Sequence, residues 1–127
     1  GWAYTFAMST NGGHIVMGQP NNPLEGDGSA KGQVRVYTKG DGGWTMFGEE
    51  LIGDNVGDGF GWSVAMSSDG SRVAIGAPWA PQDDSEFAND YGIVKIFDKS
   101  ETGSWTTFLL GYNFDFDFAT DFGTAIA

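Results

Sequence analysis

The chain has no cysteine among its 127 residues, which excludes a disulfide framework and a thiolate metal site. It also has no apolar run long enough to cross a bilayer as a helix. Basic residues are few, because six Lys and Arg stand against 17 Asp and Glu and leave a net charge of −11. Such a charge repels phosphate backbones and anionic membranes. We therefore expect neither a nucleic-acid partner nor direct membrane insertion.

Glycine and aromatic residues are abundant instead. The chain has 21 glycines, ten phenylalanines and five tryptophans, and 40% of its residues are hydrophobic. This composition favours a folded all-β protein in which many short strands are joined by tight turns. Gly1 stands first and the sequence stops inside an apolar alternation, "FGTAIA", so we expect the chain to be part of a longer protein.

The strongest pattern is an internal repeat. The segment "GWAYTFAMS" at 1–9 aligns with "GFGWSVAMS" at 59–67, and "GQVRVYTK" at 32–39 aligns with "GIVKIFDK" at 92–99. A third copy begins with "DFGTAIA" and is cut short. The sequence thus predicts two full units and the start of another, over 1–58, 59–120 and 121–127.

Alternating side chains predict four antiparallel strands in series within each unit. In the first strands, the bulky Phe6 and Met8, and their counterparts Val64 and Met66, alternate with small residues. A serial four-stranded unit repeated in tandem is typical of a propeller blade. The bulky side of one blade is then expected to pack on the small side of the next. The main alternative is a plain β-sandwich, which does not require the two halves to match position by position.

Two dipeptides predict the first hairpin of each unit. Asn11-Gly12 and Asp69-Gly70 stand between the first and second strands, where a tight turn needs positive φ.

The second unit and the start of the third contain short sequence motifs, which we call tags. They are Phe60-Gly61, Gly76-Ala77-Pro78 and Phe122-Gly123. Together with the repeat period, they resemble the FG-GAP repeats of integrin α-chain β-propellers. The resemblance implies an all-β fold of two consecutive four-stranded antiparallel blades belonging to a larger β-propeller. It also implies an extracellular or cell-surface location and a part in cell adhesion.

The first unit departs from this pattern. It has Trp2-Ala3 in place of Phe-Gly and Gly18-Gln19-Pro20 in place of Gly-Ala-Pro. A propeller is also a scaffold for many activities, so the resemblance specifies the fold more closely than the function.

Many members of that family carry a calcium loop of the form Asp-x-Asp/Asn-x-Asp-Gly-x-x-Asp in the first hairpin. The matching segments here, 9–16 and 67–74, have at most one carboxylate each. Calcium needs six to eight hard oxygen ligands, so we expect no calcium in these loops. Asp69-Gly70 is interpreted as a turn dipeptide.

A second metal candidate is "NFDFDFATDFG", where Asp115, Asp117 and Asp121 could converge on a calcium ion. The same alternation with phenylalanine equally predicts a strand with an acidic side and a buried aromatic side, or a solvated loop. We favour the strand or loop, and expect no other cofactor. The junction between the first two units also offers oxygen ligands, from Asp54, Asn55 and Asp58.

Connectivity sorts the loops onto two rims of the predicted blades. The loops between second and third strands share one rim with the junctions between units, and most of the acidic residues fall there. Two long loops on this rim set aromatic residues among acids and are candidates for binding a protein or a glycan. The candidate contacts are Asp27, Trp79, Asp83, Asp84, Glu86 and Phe87. The simpler interpretation is that Trp79 packs on its own loop and the acids keep the surface soluble.

We find no catalytic motif. His14 is the only histidine and aligns with Arg72, which predicts an exposed strand start. No nucleophile motif surrounds any serine, and the glycine-rich segments open no helix that could bind phosphate. The sequence therefore predicts a non-catalytic interaction or structural module that presents an acidic loop rim to a protein or glycan. Two alternatives stay open: a building block that assembles with other copies or blades, and an accessory propeller of a larger hydrolase.

Overall fold

The computed structural model describes residues 5–20, 31–81 and 91–112, except for the side chains of 79–81, 91 and 108–112. Every regular element in these ranges is a β-strand. The first group comprises β1 (Thr5–Met8), β2 (His14–Gln19), β3 (Gln33–Gly40), β4 (Gly43–Met46) and β5 (Leu51–Ile52). The second group comprises β6 (Ser63–Met66), β7 (Arg72–Pro81), β8 (Tyr91–Lys99) and β9 (Trp105–Tyr112).

Each group forms its own antiparallel sheet. The order is β1-β2-β3-β4 in the first sheet, with β5 also paired to β3, and β6-β7-β8-β9 in the second. Within the described ranges, no strand of one unit enters the sheet of the other. The predicted all-β fold of two serial antiparallel blades is confirmed, and the described strands show neither an interleaved sandwich nor a closed barrel.

The fourth strand of the first unit differs from the prediction, because it is split into β4 and β5. Tyr37 pairs with Met46 and Val34 pairs with Leu51. Between these pairs the chain advances three positions on β3 but five on the fourth strand, so two extra residues interrupt the ladder. In the second sheet, β9 continues through a single irregularity next to Phe97.

The two predicted first hairpins are confirmed. Gly12 and Gly70 have φ angles of 72° and 78°, which other residues adopt only with strain. The side chain before each glycine closes the turn: Gly13 N donates to Asn11 Oδ1 at 2.9 Å, and Ser71 N donates to Asp69 Oδ1 at 3.0 Å. Hydrogen bonds from Ser71 and Ser67 lower the pKa of Asp69 to about 2.

The two sheets pack face to face around one main core. The second sheet contributes its bulky face and the first sheet contributes buried valines. Ala7, which is partly buried, packs against this core. The contributing side chains include Val64, Met66, Val73 and Ile75 on one side, and Val16, Val34 and Val36 on the other. A bulky face therefore meets a slender face, as the alternation in the sequence predicts.

The two units approach each other closely beside their first strands. Thr5 Oγ1 donates a hydrogen bond of 3.0 Å to the carbonyl oxygen of Gly61. A Cβ on Gly18, the cross-strand partner of Thr5, would clash with that same carbonyl and would lie 3.1 Å from Val64 Cγ1. Only a glycine at position 18 therefore lets the Phe-Gly turn of the second unit contact the first sheet.

This contact predicts opposite outcomes for two glycine-to-alanine substitutions. Gly18→Ala should lower the free energy of unfolding by about 1–3 kcal/mol, because backbone atoms have to move to admit the methyl group. Gly42→Ala should change it by less than about 0.5 kcal/mol, because a Cβ there meets no atom within 4 Å and φ is not left-handed. Urea unfolding followed by tryptophan fluorescence measures both values. Equal effects of the two substitutions would contradict the close approach.

Candidate interaction site

One rim of the molecule is built by close backbone contacts between two loops. Gly53 N, just after β5, donates a 3.0 Å hydrogen bond to the carbonyl of Gly32, just before β3. A Cβ on Gly32 would clash with the carbonyl of Phe60, and a Cβ on Gly53 would clash with the carbonyl of Lys31. The junction between the units and the end of the β2–β3 connection therefore lie side by side on this rim.

A buried aromatic ring holds the junction in place. Phe60 is buried in the main core, and the ammonium of Lys95 lies 5.9 Å from the centroid of its ring. Lys95 Nζ also forms a short ion pair with the carboxylate of Asp54. The Lys95 side chain is largely buried whereas that of Asp54 is 63% exposed, so one side of the carboxylate faces solvent.

Asp58, the second acid of the junction, is buried beside this ion pair. Its Oδ2 accepts a 3.3 Å hydrogen bond from Asn55 Nδ2, and its backbone N donates to the Asn55 carbonyl at 3.3 Å. Burial raises the pKa of Asp58, and the nearby charge of Asp54 adds to the rise, although the Asn55 hydrogen bond and Lys95 act in the opposite direction. The junction thus has one exposed, paired carboxylate and one buried carboxyl whose ionisation is disfavoured.

The predicted partner-binding residues lie almost entirely outside the described ranges. Trp79 belongs to β7, but its side chain is not among those described. The other predicted contacts outside the described residues are Asp27, Asp83, Asp84, Glu86 and Phe87. The metal candidates Asp115, Asp117 and Asp121 also lie outside them. These assignments stay predictions.

In the part of the chain that the structure describes, no three His, Cys, Asp or Glu side chains come together as a metal site. The three junction oxygen donors are arranged differently from a calcium loop. Asp54 pairs with Lys95, and Asp58 is bonded to Asn55. The junction is therefore organised around an internal ammonium group.

His14 begins β2, as predicted, but its ring is half-buried and not at an exposed position. A Cβ on Gly70 would clash with the imidazole, which places the ring against the hairpin of the second unit. Its Nδ1 lies 3.1 Å from Thr38 Oγ1. Burial lowers the pKa of His14, and the charge of Lys99 lowers it further. The ring therefore acts as packing between the two hairpins.

The repeated tryptophans occupy different environments. Trp105 is buried, lies edge-on to Phe47 with 5.2 Å between ring centroids, and donates from Nε1 to the Phe47 carbonyl at 3.4 Å. Lys99 Nζ lies 4.2 Å from the centroid of the Phe47 ring. Trp44, the counterpart of Trp105, is exposed. Trp105 is a core residue, whereas Trp44 lies on a sheet face that the second sheet does not cover.

That face of the first sheet, which we call the open face, carries large apolar side chains exposed to solvent. Phe6 is 70% exposed, whereas its counterpart in the second unit, Val64, is 4% exposed. The strand pairing places Phe6 on the side opposite Ala7, which contacts the core. The exposed apolar residues of the open face are Phe6, Met8, Trp44, Met46 and Ile52.

The open face also carries an ion pair. Arg35, the counterpart of Lys95, donates from Nη2 to Glu50 Oε2 at 3.1 Å, and both side chains are mostly buried. Glu50 lies between β4 and β5, and Asp54 lies in the junction, so the two equivalent basic residues pair with acids from different segments.

The two sequence tags of the second unit contact each other. Gly61 N, in the Phe-Gly tag, donates a 3.1 Å hydrogen bond to the carbonyl of Gly76, in the Gly-Ala-Pro tag. Residues 54–92, which contain both tags, match the family described as the FG-GAP repeat. This segment is similar to an FG-GAP repeat. The resemblance inferred from the tags is thereby confirmed, and the matched segment covers the junction, β6, β7 and the start of β8.

The search of curated proteins gave no match. No helix that is long and apolar enough to span a membrane occurs in the ranges that the structure describes.

Sequence reasoning missed the internal partners of the junction. It placed Asp54 and Asp58 on the acidic rim and did not predict that Asp54 pairs with Lys95 or that Asp58 is buried. The alternation of side chains along β8 contained a signal for this ion pair. It places Lys95 on the same bulky side of the strand as Phe97. A basic residue at a core-facing position needs an acid within reach.

The junction predicts opposite effects for two carboxylate-to-amide substitutions. Asp58→Asn should stabilise the fold at neutral pH, because the buried carboxylate no longer has to ionise. The gain should vanish as the pH falls through the raised pKa of Asp58 toward the ordinary value of 3.8. Asp54→Asn should lower the free energy of unfolding by about 0.5–1 kcal/mol, because Lys95 loses its partner.

Thermal melts of both variants and the parent protein between pH 3.5 and 7.5 measure these effects. A stabilisation by Asp58→Asn that grows as the pH falls would show that the carboxylate, and not the carboxylic acid, is the favoured form in the fold.

Proposed function

We propose that the chain is a non-catalytic structural and interaction module that stacks against further FG-GAP-type blades. One observation carries this proposal: the bulky face of the second sheet is buried against the first sheet, whereas the equivalent face of the first sheet is open. Equivalent surfaces in a repeat protein have equivalent partners, and each unit depends on its neighbours to bury its apolar face.

The expected partner of the open face is the slender face of another sheet of the same repeat type. The observed interface shows what such a partner offers: a glycine at a close backbone approach, Thr5 and Ala7 on the first strand, and valines behind them. In a solution of this chain alone, a second copy is the available partner. Two open faces are then expected to pair with each other, because an isologous contact uses the same patch on both copies.

The exposure of the open face predicts that substitutions at two equivalent positions change the free energy of unfolding by different amounts. Phe6→Ser should change the free energy of unfolding by less than about 0.5 kcal/mol, because the ring is exposed. Val64→Ser, at the equivalent buried position, should cost about 2–4 kcal/mol, because it removes apolar area and places a hydroxyl in the core. Urea unfolding provides both values at a protein concentration too low for association.

Light scattering at two protein concentrations tests whether a second copy of the chain binds the open face. The parent protein should show a mean mass that rises with concentration, and Phe6→Ser should abolish the rise. Val56→Ser is the matched control, because Val56 is also an exposed large apolar residue but lies in the junction loop. It should leave the rise unchanged. A parent protein that stays monomeric, or a Val56→Ser effect equal to that of Phe6→Ser, would contradict the assignment.

We also propose that the rim containing the junction binds a protein or a glycan outside the cell or at its surface. Asp54 and Val56 support this second role, because an exposed carboxylate and an exposed apolar side chain lie two residues apart in the junction. The net charge of −11 favours a partner with a basic or polar surface. The predicted contacts Trp79, Asp83, Asp84, Glu86, Phe87 and Asp27 extend the same rim by connectivity.

Calcium is tested by melting the protein with excess calcium and with a chelator. We expect equal midpoints, because the strand or loop interpretation of Asp115, Asp117 and Asp121 needs no metal. A calcium site would instead add roughly 2.7 kcal/mol of stability at 100 times its dissociation constant. Asp117→Asn is the matched control, since it should remove any calcium-dependent shift that these carboxylates cause.

A further inference from the structure

The turn of the first hairpin contains a reactive pair of residues. Asn11-Gly12 is the only Asn-Gly pair in the sequence, and Asn11 is exposed. An asparagine amide can be attacked by the backbone nitrogen of the next residue, and glycine has no Cβ to hinder that attack. A Cβ on Gly12 would meet no atom within 4 Å, so this side of the turn has room for a ring to form and for water to approach.

The Asn11 side chain is folded forward over the backbone with which it would react. Its Oδ1 accepts hydrogen bonds from Gly13 N at 2.9 Å and from Ser9 Oγ at 2.7 Å. A Cβ on Gly13 would lie 3.7 Å from Asn11 Cγ, so the amide carbon is held beside the peptide bond that follows Asn11. When a nitrogen attacks Cγ, negative charge develops on Oδ1, and the two donors already aimed at this oxygen stabilise that charge.

Asn55 provides a comparison within the same chain, because it is also exposed. Its Nδ2, the group that would leave, donates to the buried Asp58, whereas the hydrogen bonds that hold Asn11 are made to its oxygen. The residue after Asn55 is Val56, whose β-branched side chain crowds the backbone nitrogen that would attack. The two exposed asparagines should therefore differ in reactivity.

We propose that Asn11 is a site of spontaneous deamidation in the folded protein. Gly12 N loses its proton to a base in solvent and bonds to Asn11 Cγ, the bond from Cγ to Nδ2 breaks, and ammonia leaves with a proton taken from water. Water then adds to one carbonyl of the resulting succinimide ring and opens it to aspartate or isoaspartate. The hydrogen bond of 3.0 Å from Gly12 N to the Ser9 carbonyl has to open first, which requires only local opening of the turn.

The second hairpin shows that the aspartate product is compatible with the fold. Asp69 is the equivalent of Asn11, and its Oδ1 accepts hydrogen bonds from Ser71 N at 3.0 Å and from Ser67 Oγ at 2.9 Å. These donors stand at the same two positions of the turn as the donors to Asn11. Deamidation to aspartate therefore keeps the turn and adds a negative charge.

The isoaspartate product would instead disturb the contact between the two units. It adds a methylene group to the backbone of the turn, next to the strand pair of Met8 and Ile15. Thr10 N, in the same turn, donates a 3.0 Å hydrogen bond to the carbonyl of Ser68 in the second hairpin. A longer backbone shifts both, so isoaspartate loosens the first hairpin from the second. This inference concerns the hairpin rim and goes beyond the proposed stacking of the open face.

Peptide mapping by mass spectrometry after incubation of the full chain between pH 7 and 9 tests the proposal. The peptide containing Asn11 should gain the mass of an exchange of NH2 for OH, and faster at higher pH, because the reaction begins with loss of the Gly12 amide proton. Asn55 should stay intact. A sample unfolded in urea is incubated in parallel. A folded sample in which Asn11 stays unmodified, or in which Asn11 and Asn55 react equally, would overturn the proposal.

Urea unfolding of the two products tests the predicted consequence. Asn11→Asp should unfold at the same urea concentration as the parent protein, because Asp69 already occupies an equivalent turn. The isoaspartate fraction of the incubated protein, separated by chromatography, should unfold at a lower urea concentration. An isoaspartate fraction as stable as Asn11→Asp would contradict the loss of the contact between the hairpins. None of these results depends on association through the open face, so they are distinguishable from the light-scattering test.

Discussion

The arrangement of the two sheets depends on a backbone contact between glycines. The Gly61 carbonyl reaches the first sheet because Gly18 has no Cβ, and Thr5 supplies the hydrogen bond that the carbonyl needs once it is buried. The hydrogen bond from Gly61 N to the Gly76 carbonyl ties the same turn to its own sheet. A single turn is thus bonded to both units. The valine-rich core beyond it supplies most of the buried apolar surface, but the turn sets how closely and in what register the two faces meet.

The repeat made this arrangement predictable from the sequence to a large extent. Alternation at Phe6 and Met8 indicated which side chains share a face, and the matching alternation at Val64 and Met66 indicated that the two units are built alike. The dipeptides at the hairpins specified positive φ at Gly12 and Gly70, which the structure has. These features are local, because they depend on neighbouring residues and on the period of a strand.

The features that sequence reasoning did not find depend on residues far apart in the chain. The split of the fourth strand depends on two residues that have no partner on β3, and only the pairing of the strands reveals them. The partner of Lys95 is Asp54, 41 positions earlier, and their contact depends on how the junction folds over Phe60. The burial of Asp58 depends on the same loop. A pattern of acids along the sequence carries no information on which carboxylates face inward, so the candidate site was less predictable than the sheets.

The interruption between β4 and β5 affects the outer edge of the first sheet. A long, regular edge strand presents a continuous row of backbone donors and acceptors, which is a template for adding a strand from another molecule. Here the row is broken after four residues of β4 and resumes for only two in β5. An incoming strand could not keep its hydrogen bonds in step across the break. The insertion therefore protects the sheet from growing sideways into aggregates while its broad apolar surface remains accessible.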